Sequence, residues 1–221
     1  MILYHGSSRI IMKPVWHGGR KHNDYGYGFY CTEFPDLARE WSVSPDSMGF
    51  LNKYEADVEG LRVLDLNDHG ILTWLAVLLN NRTFKLDSPL SREAARYLMD
   101  EFLIDCEDYD VIRGYRADDS YFSFAQDFIN GTISVEQLKK AMQLGDLGNQ
   151  IVMNSVRAHE NLIFKGYEEV DNTVWYPKRA NRDRKARQSY FDMDRFGYRK
   201  GDIYITKILD EEMKRDDIRL R

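Results

Sequence analysis

The order of strand-like and helix-like patterns along the chain is the strongest constraint on its fold. Strand patterns occur near the N-terminus, across residues 50–66 and again after residue 148, whereas the middle of the chain carries mainly helical patterns. A doubly wound parallel sheet would instead need strands and helices that alternate regularly. We therefore predict a mixed α+β domain.

The individual elements follow from apolar periodicity and from residues that begin or end helices. Strands are predicted at residues 1–6, 28–32, 50–58, 61–66, 110–116 and 161–170, with a Glu59-Gly60 turn between the third and fourth, and a turn followed by a strand is predicted within residues 145–155. Helices are predicted at residues 35–42, 71–82, 91–103, 120–129 and 134–144. Ser91 is expected to begin the third of these helices, and Ser134 with Gln137 forms a capping-box spacing at the last.

Composition excludes several classes of protein. The net charge of -5 gives no general attraction to nucleic acid or to an anionic membrane. The N-terminal residues lack the apolar core of a signal peptide, and the longest apolar run, residues 72–79, is far too short to span a membrane. Cys31 and Cys106 do not have the spacing of a disulfide framework or a metal site. We expect a cytoplasmic protein with reduced thiols, no metal and no membrane partner.

Residues 24–32, DYGYGFYCT, combine two glycines with four aromatic side chains. Aromatic packing in the core is one explanation, and a flat aromatic ligand lying against exposed backbone is the other. Two further short segments resemble ligand-binding sequences: YHGS at residues 4–7 and GNQIV at residues 148–152. No phosphate-binding P-loop, nucleophile elbow or zinc-protease motif occurs in the sequence.

Together, YHGS, GYGFYCT and NQIV resemble the three core motifs of the ADP-ribosyltransferase fold. The resemblance is to its His-Tyr-Glu branch, which is related to diphtheria toxin and the poly-ADP-ribose polymerases. The residues that match its first two motifs, including an aromatic residue eleven positions after the tyrosine, are His5, Gly6, Ser7, Gly26, Gly28, Tyr30 and Trp41. The resemblance implies split antiparallel sheets with a helical insertion. A closer likeness to a bacterial subfamily without an assigned function covers roughly residues 1–170, and we expect residues 171–221 to form a basic helical extension packed on the same domain.

The resemblance implies NAD as the co-substrate and assigns roles to individual residues. The Gly6 backbone would pair with the nicotinamide carboxamide, while Tyr30 and Trp41 would sandwich the ring. His5 would bind the adenosine-side ribose. Ser7 and Arg116 complete the expected cofactor-binding set, and His5, Tyr30 and Gln150 form the expected catalytic set.

The sequence departs from the family pattern at Gln150, where the family usually has glutamate. Glutamine can hydrogen-bond a ribose hydroxyl but supplies neither a negative charge nor a useful base. The resemblance therefore implies mono-ADP-ribosylation or NAD hydrolysis rather than growth of poly-ADP-ribose chains. Asp118 and Asp119 are candidates for the missing base, with a helix N-terminus as their alternative role, and Arg116 beside them is suited to a phosphate or an acceptor.

Three hypotheses about function remain open. The first is a mono-ADP-ribosyltransferase that modifies a protein or nucleic acid, as the toxin of a toxin–antitoxin or phage-defence pair with a small antitoxin partner. The second is a catalytically weak module that binds NAD, ADP-ribose or a partner protein, and the third is an NAD glycohydrolase. The basic segment Lys178–Arg187 either docks an acidic partner or nucleic acid or forms a solvated helix face.

Overall fold

The computed structural model describes residues 1–117, 119–144, 148–193 and 197–220, without the side chains of Asp119 and Ser120. Its strands are β1 (Ile2–Ser7), β2 (Phe29–Cys31), β3 (Gly49–Ala56), β4 (Val63–Asp65), β5 (Val111–Tyr115), β6 (Asn149–Met153) and β7 (Leu162–Val170). Its α-helices are α1 (Pro35–Ser42), α2 (Ile71–Asn81), α3 (Pro89–Phe102), α4 (Asp119–Ile129), α5 (Val135–Ala141), α6 (Val156–Glu160), α7 (Asn172–Asp192) and α8 (Ile205–Asp210). The predicted mixed α+β class is confirmed.

The strands form two sheets. The first has the order β1-β3-β7 and is antiparallel throughout, with β1 at one edge. The second has the order β2-β6-β5-β4 and is mixed, because β4 and β5 run parallel. The prediction of antiparallel sheets is therefore wrong for this pair. A parallel pair needs a long crossover connection, and α2 and α3 provide it between β4 and β5.

Two local predictions also differ from the structure. The strands β3 and β4, predicted on either side of one turn, lie in different sheets and do not pair. Helix α3 begins before Ser91, because Pro89 occupies its first turn and Ser88 caps it by accepting a hydrogen bond from the Ser91 backbone N–H. At α5 the predicted capping box of Ser134 and Gln137 is confirmed.

Helix α2 forms the centre of the core, which explains why its sequence is apolar on every side. All of its residues from Ile71 to Leu79 are buried. Trp74 on this helix donates from its indole Nε1 to the backbone oxygen of Tyr115, at 3.0 Å. This contact fixes the end of β5, where the chain leaves the second sheet.

Helix α7, the longest of the described helices, packs on the rest of the fold. Tyr190 is buried near its end, stacks on Phe124 with 3.9 Å between ring centroids, and donates a hydrogen bond to Asp127. Both cysteines are free thiols, as predicted, with Cys31 buried and Cys106 half-buried. Among the helices of the described residues, none combines the length and the apolar character that crossing a membrane requires.

Candidate functional site

A cleft of about 610 Å³ lies where the edges of the two sheets approach each other. His5 comes from β1, Tyr30 from β2, Gln150 from β6, and Arg116 directly follows β5. The loop after β1 supplies a wall of the cleft from Arg9 to Val15. Four of the predicted site residues, far apart in sequence, therefore line one cavity.

His5 is held by the backbone of β2. Its Nδ1 lies 2.6 Å from the carbonyl oxygen of Tyr30, and its ring centroid lies 4.3 Å from that of Phe29. Because a carbonyl oxygen only accepts, Nδ1 carries the proton and donates, and Nε2 of the neutral ring keeps its lone pair. Burial lowers the pKa of His5, while the hydrogen bond to Tyr30 raises it by a smaller amount. The ring is therefore neutral near pH 7 and has one nitrogen able to accept from a ligand.

Tyr30 offers the cleft a ring rather than an acid or base. Its hydroxyl donates to the carbonyl oxygen of Gly26 at 2.8 Å and accepts from the backbone N–H of Tyr25 at 3.0 Å. Burial raises the pKa of Tyr30 well above its ordinary value, so that the side chain remains a neutral phenol. The two hydrogen bonds close the turn before β2 and fix the orientation of the ring.

Gly6 has a backbone edge that faces away from β3. In an antiparallel pair, successive residues direct their N–H and C=O groups to opposite sides of the strand. Tyr4 uses its N–H and C=O to bond Thr32 of the chain after β2, at 2.8 and 2.9 Å. Two residues further along β1, the N–H and C=O of Gly6 face that same side. They suit the paired donor and acceptor of a carboxamide, although Gly6 itself is not among the residues that line the cleft.

Gly6 is also required for packing. A Cβ at this position would lie 1.9 Å from the carbonyl oxygen of Ala38 and 2.9 Å from the backbone nitrogen of Ser42. Helix α1 therefore crosses β1 in direct backbone contact at Gly6. The packing of α1 on β1 therefore explains the glycine of the YHGS segment without any ligand.

Ser7 organises the loop that follows β1 and does not line the cleft. Its hydroxyl donates to the Arg9 carbonyl at 2.6 Å and accepts from Nδ2 of Asn52 at 3.1 Å. Asn52, fully buried on β3, also accepts from the Ile11 backbone N–H at 2.8 Å. The carboxamide of Asn52 therefore holds the first part of the cleft wall.

Gln150 is buried and bonded to a carboxylate. Its Nε2 donates to Oδ2 of Asp24 at 3.0 Å and to the Tyr115 carbonyl at 3.3 Å. Asp24 also accepts from the Ala117 backbone N–H at 2.9 Å, and its Oδ1 pairs with Arg82 at 2.6 Å. Asp24 and Arg82 both line the cleft beside Gln150. The side-chain amide of Gln150 is therefore in direct hydrogen-bond contact with the carboxylate of Asp24.

Trp41 lies outside the cleft, in a neighbouring pocket of about 400 Å³. The guanidinium of Arg116 covers its ring, with Cζ 3.8 Å from the ring centroid, and Arg116 lines both cavities. The structure therefore does not bring Trp41 and Tyr30 to the same cavity. A ring sandwich between them would require Arg116 to leave the face of Trp41.

Two predicted positions can be described only in part. Asp118 lies outside the described residues. Asp119 is the first residue of α4, and its side chain is likewise not described. The role of either carboxylate as a base stays a prediction.

Gly26 and Gly28 make room for other parts of the protein. Gly26 has a φ of 78°, a conformation that favours glycine, and a Cβ there would lie 3.0 Å from Oδ1 of Asn81. A Cβ at Gly28 would lie 2.3 Å from a methyl group of Val152 on β6. The glycines of the motif therefore close a turn and let β2 approach β6, in addition to any contact with a ligand.

Sequence reasoning missed Asp24, Arg82 and Asn52. Asp24 stands two residues before the first glycine of the motif, but one sequence gives no reason to select it among 36 acidic residues. Arg82 follows α2, and Asn52 lies within a strand pattern. Burial of a charged or amide side chain is the signal that distinguishes them, and it becomes visible only in the fold.

Comparison with known proteins gives one result. The family described as "Protein of unknown function (DUF3990)" matches residues 1–164, which include β1 to β6 and every residue of the cleft named above. No curated protein and no solved structure matches the chain. The matched segment covers most of the 221 residues. The chain therefore belongs to the DUF3990 family.

Proposed function

We propose that this protein is an NAD-dependent mono-ADP-ribosyltransferase that uses the cleft between the two sheets. The observation that carries the proposal is the convergence of His5, Tyr30 and Gln150 on one cavity. These residues come from three motifs spread over about 145 positions of sequence, and each motif resembles the corresponding one of the ADP-ribosyltransferase fold. A cavity of about 610 Å³ is within the usual range for a cofactor site.

The charges around the cleft support an anionic ligand. Among the described residues that line it, Arg9, Lys13, Arg82 and Arg116 carry positive charge, whereas Asp24 is the one acidic residue. A cavity lined by several cations attracts phosphate groups, and arginine matches their geometry. The diphosphate of NAD fits this distribution of charge.

The neutral groups of the cleft support a nicotinamide nucleotide. Tyr30 provides an aromatic ring whose hydroxyl is already bonded. Gly6 does not line the cleft itself, but the edge of its backbone that faces away from β3 presents a donor and an acceptor beside each other. His5 provides Nε2 as an acceptor for a ribose hydroxyl. Tyr30 and Gly6 would thus hold the nicotinamide end of the dinucleotide, and His5 would hold the adenosine-side ribose.

The reaction would break the bond between nicotinamide and C1′ of the ribose. The bonding electron pair leaves with the nicotinamide nitrogen, which becomes neutral, and positive charge develops on the ribose as in glycoside hydrolysis. A nucleophilic oxygen or nitrogen of the acceptor then bonds to C1′ and loses its proton to solvent or a base. Gln150 would contribute by accepting a hydrogen bond from the ribose 2′-hydroxyl.

Incubation of the purified protein with labelled NAD and a cell lysate tests the proposal. We expect label on macromolecules and release of nicotinamide. Free ADP-ribose as the sole labelled product would instead indicate an NAD glycohydrolase, and NAD binding without turnover would indicate a binding module. Absence of both binding and turnover would reject the proposal.

Tyr30→Ala should abolish NAD binding and turnover, because it removes the ring from the cleft. Tyr30→Phe keeps the ring and should retain most of the NAD affinity, although it loses the hydrogen bonds to Tyr25 and Gly26. Tyr198→Ala is the matched control, since Tyr198 is 79% exposed and does not line the cleft. NAD affinity measured by calorimetry decides the matter: an unchanged affinity in Tyr30→Ala would remove Tyr30 from the site.

A further inference from the structure

Asp24 is a buried carboxylate at the wall of the cleft. It is 6% exposed, and each of its oxygens accepts hydrogen bonds from described residues. Oδ1 accepts from Arg82, and Oδ2 accepts from the Ala117 backbone N–H and from Gln150. A carboxylate is rarely buried without such donors, because burial of an unpaired charge is costly. Its donors come from the ends of α2, β5 and β6, so the carboxylate joins three elements at the site.

The contacts of Gln150 fix which way its amide points. Its nitrogen contacts two acceptors, the Asp24 carboxylate and the Tyr115 carbonyl, and so faces them. The Tyr25 hydroxyl also lies beside this amide, but it donates its own proton to the Tyr115 carbonyl. Both hydrogens of the amide are then used. Within the described residues, Oε1 of Gln150 is left to accept a hydrogen bond from a ligand in the cleft that it lines.

We propose that Asp24 is the positioning carboxylate of this site and supplies, one hydrogen bond behind Gln150, the negative charge that glutamine lacks. This inference rests on the proposed function. Asp24 polarises the amide of Gln150 and thereby makes Oε1 a stronger acceptor for the ribose hydroxyl. Its charge also lies close to the ribose on which positive charge develops when the bond to nicotinamide breaks.

Arg82 fits the same arrangement. It binds Oδ1, the oxygen of Asp24 that faces away from Gln150, and it also lines the cleft. Among the described residues, the donors to Oδ2 are the Ala117 backbone N–H and Gln150. A ligand phosphate near Arg82 would share its positive charge and so strengthen the negative potential of Asp24 at the ribose.

Asp24→Asn removes the negative charge of the carboxylate and keeps the size and shape of the side chain. The oxygen of the new amide can still accept from Ala117 and Gln150, whereas its NH2 group takes the place of Oδ1 and cannot accept from Arg82. We expect kcat for nicotinamide release to fall at least tenfold and the KM for NAD to change by less than threefold. Asp46→Asn is the matched control, because Asp46 is exposed. A kcat within twofold of wild type in Asp24→Asn, with NAD turnover present in the wild type, would reject the role of Asp24 alone.

Gln150→Glu provides a second test that does not depend on Asp24→Asn folding. Two carboxylates about 3 Å apart cannot both be ionised comfortably and share one proton. The introduced carboxyl group, when protonated, then donates to Asp24 and directs its carbonyl oxygen to the cleft, as Gln150 does. We expect the turnover of this variant, relative to wild type, to rise as the pH falls from 8 to 5. A constant ratio would contradict the proposal, whereas loss of NAD binding and turnover in the wild type would reject the proposed function itself.

Discussion

Two cavities meet at Arg116, and they are built in different ways. The cleft is formed by the ends of β1, β2, β5 and β6, and its geometry is set by backbone hydrogen bonds, by glycines that admit no side chain and by the buried contacts of Asp24. The neighbouring pocket is formed by α1 and α7, and long charged side chains hold it together. In this pocket Arg182 of α7 donates two hydrogen bonds to the Glu40 carboxylate of α1, at 2.8 and 2.9 Å.

The difference between the two cavities shows which structural features a short sequence motif can determine and which it cannot. A motif of four to nine residues can determine a strand end and its local turn, which is how His5, Tyr30 and Gln150 are positioned in the cleft. The Glu40–Arg182 pair joins residues 142 positions apart and has no local pattern. We therefore expect variants of the cleft and of the neighbouring pocket to affect different properties of the protein.

The largest effect is expected from Gly6→Ala. The new Cβ would collide with the backbone of α1, which cannot move aside without disturbing its packing on β1. The free energy of unfolding, measured with urea, should fall by at least about 3 kcal/mol. Gly60→Ala is the control, because Gly60 has a φ of 73° but open space around it, and should cost about 1 kcal/mol. Equal losses in the two variants would show that the close approach of α1 and β1 at Gly6 is not a strong constraint.

Glu40→Gln should be the next most damaging. Glu40 is 3% exposed, and the substitution removes the negative charge that pairs with Arg182. The expected loss of stability is about 3 kcal/mol, while the KM for NAD of the folded protein should be unchanged. Glu93→Gln removes an exposed ion pair with Arg96 and should change the thermal midpoint very little. A raised KM in Glu40→Gln would mean that the two cavities act as one site.

Trp41→Ala should weaken NAD binding much less than Tyr30→Ala does. Because Trp41 lines the neighbouring pocket under Arg116, its removal should raise the Kd for NAD by only about twofold to threefold, equivalent to about 0.5 kcal/mol. Binding calorimetry with NAD measures this directly. A loss as large as that of Tyr30→Ala would restore the ring sandwich and require Arg116 to move when the ligand binds.

The smallest effect concerns pH. Because the pKa of His5 is lowered in the folded protein, the unfolded chain binds the proton more tightly, and folding stability falls as the pH drops below the ordinary histidine value of about 6.5. His159 contributes in the same direction, since burial lowers its pKa too. His5→Gln should therefore flatten the decline of stability between pH 7 and pH 5. The exposed His22→Gln is the control, and an equal flattening in both variants would contradict this assignment.

Much of the secondary structure could be predicted because local patterns determine it. The capping box of Ser134, the proline that begins α1 and the apolar length of α2 each reflect neighbouring residues. The pairing of strands could not be predicted in the same way. The parallel pair β4 and β5 depends on a crossover of two helices, and no residue of either strand records its direction.

The candidate site divides in the same manner. His5, Tyr30 and Gln150 could be selected from short segments, and the structure places all three in the cleft. Asp24 could not, because its importance comes from donors at residues 82, 117 and 150, which only folding brings together. The spacing between Tyr30 and Trp41 gave no indication that Arg116 would lie on the face of Trp41.

The hydrogen bonds of Tyr4 with Thr32 have one further consequence. They tie the first sheet to the chain after β2, and the opposite walls of the cleft belong to different sheets, His5 to the first and Gln150 to the second. A molecule that binds both walls of the cleft would form a reversible, non-covalent link between the two sheets. At a ligand concentration one hundred times its Kd, binding of this ligand raises the free energy of unfolding by about 2.7 kcal/mol. The thermal midpoint of the protein would then report the occupancy of the cleft, even for a ligand that is never turned over.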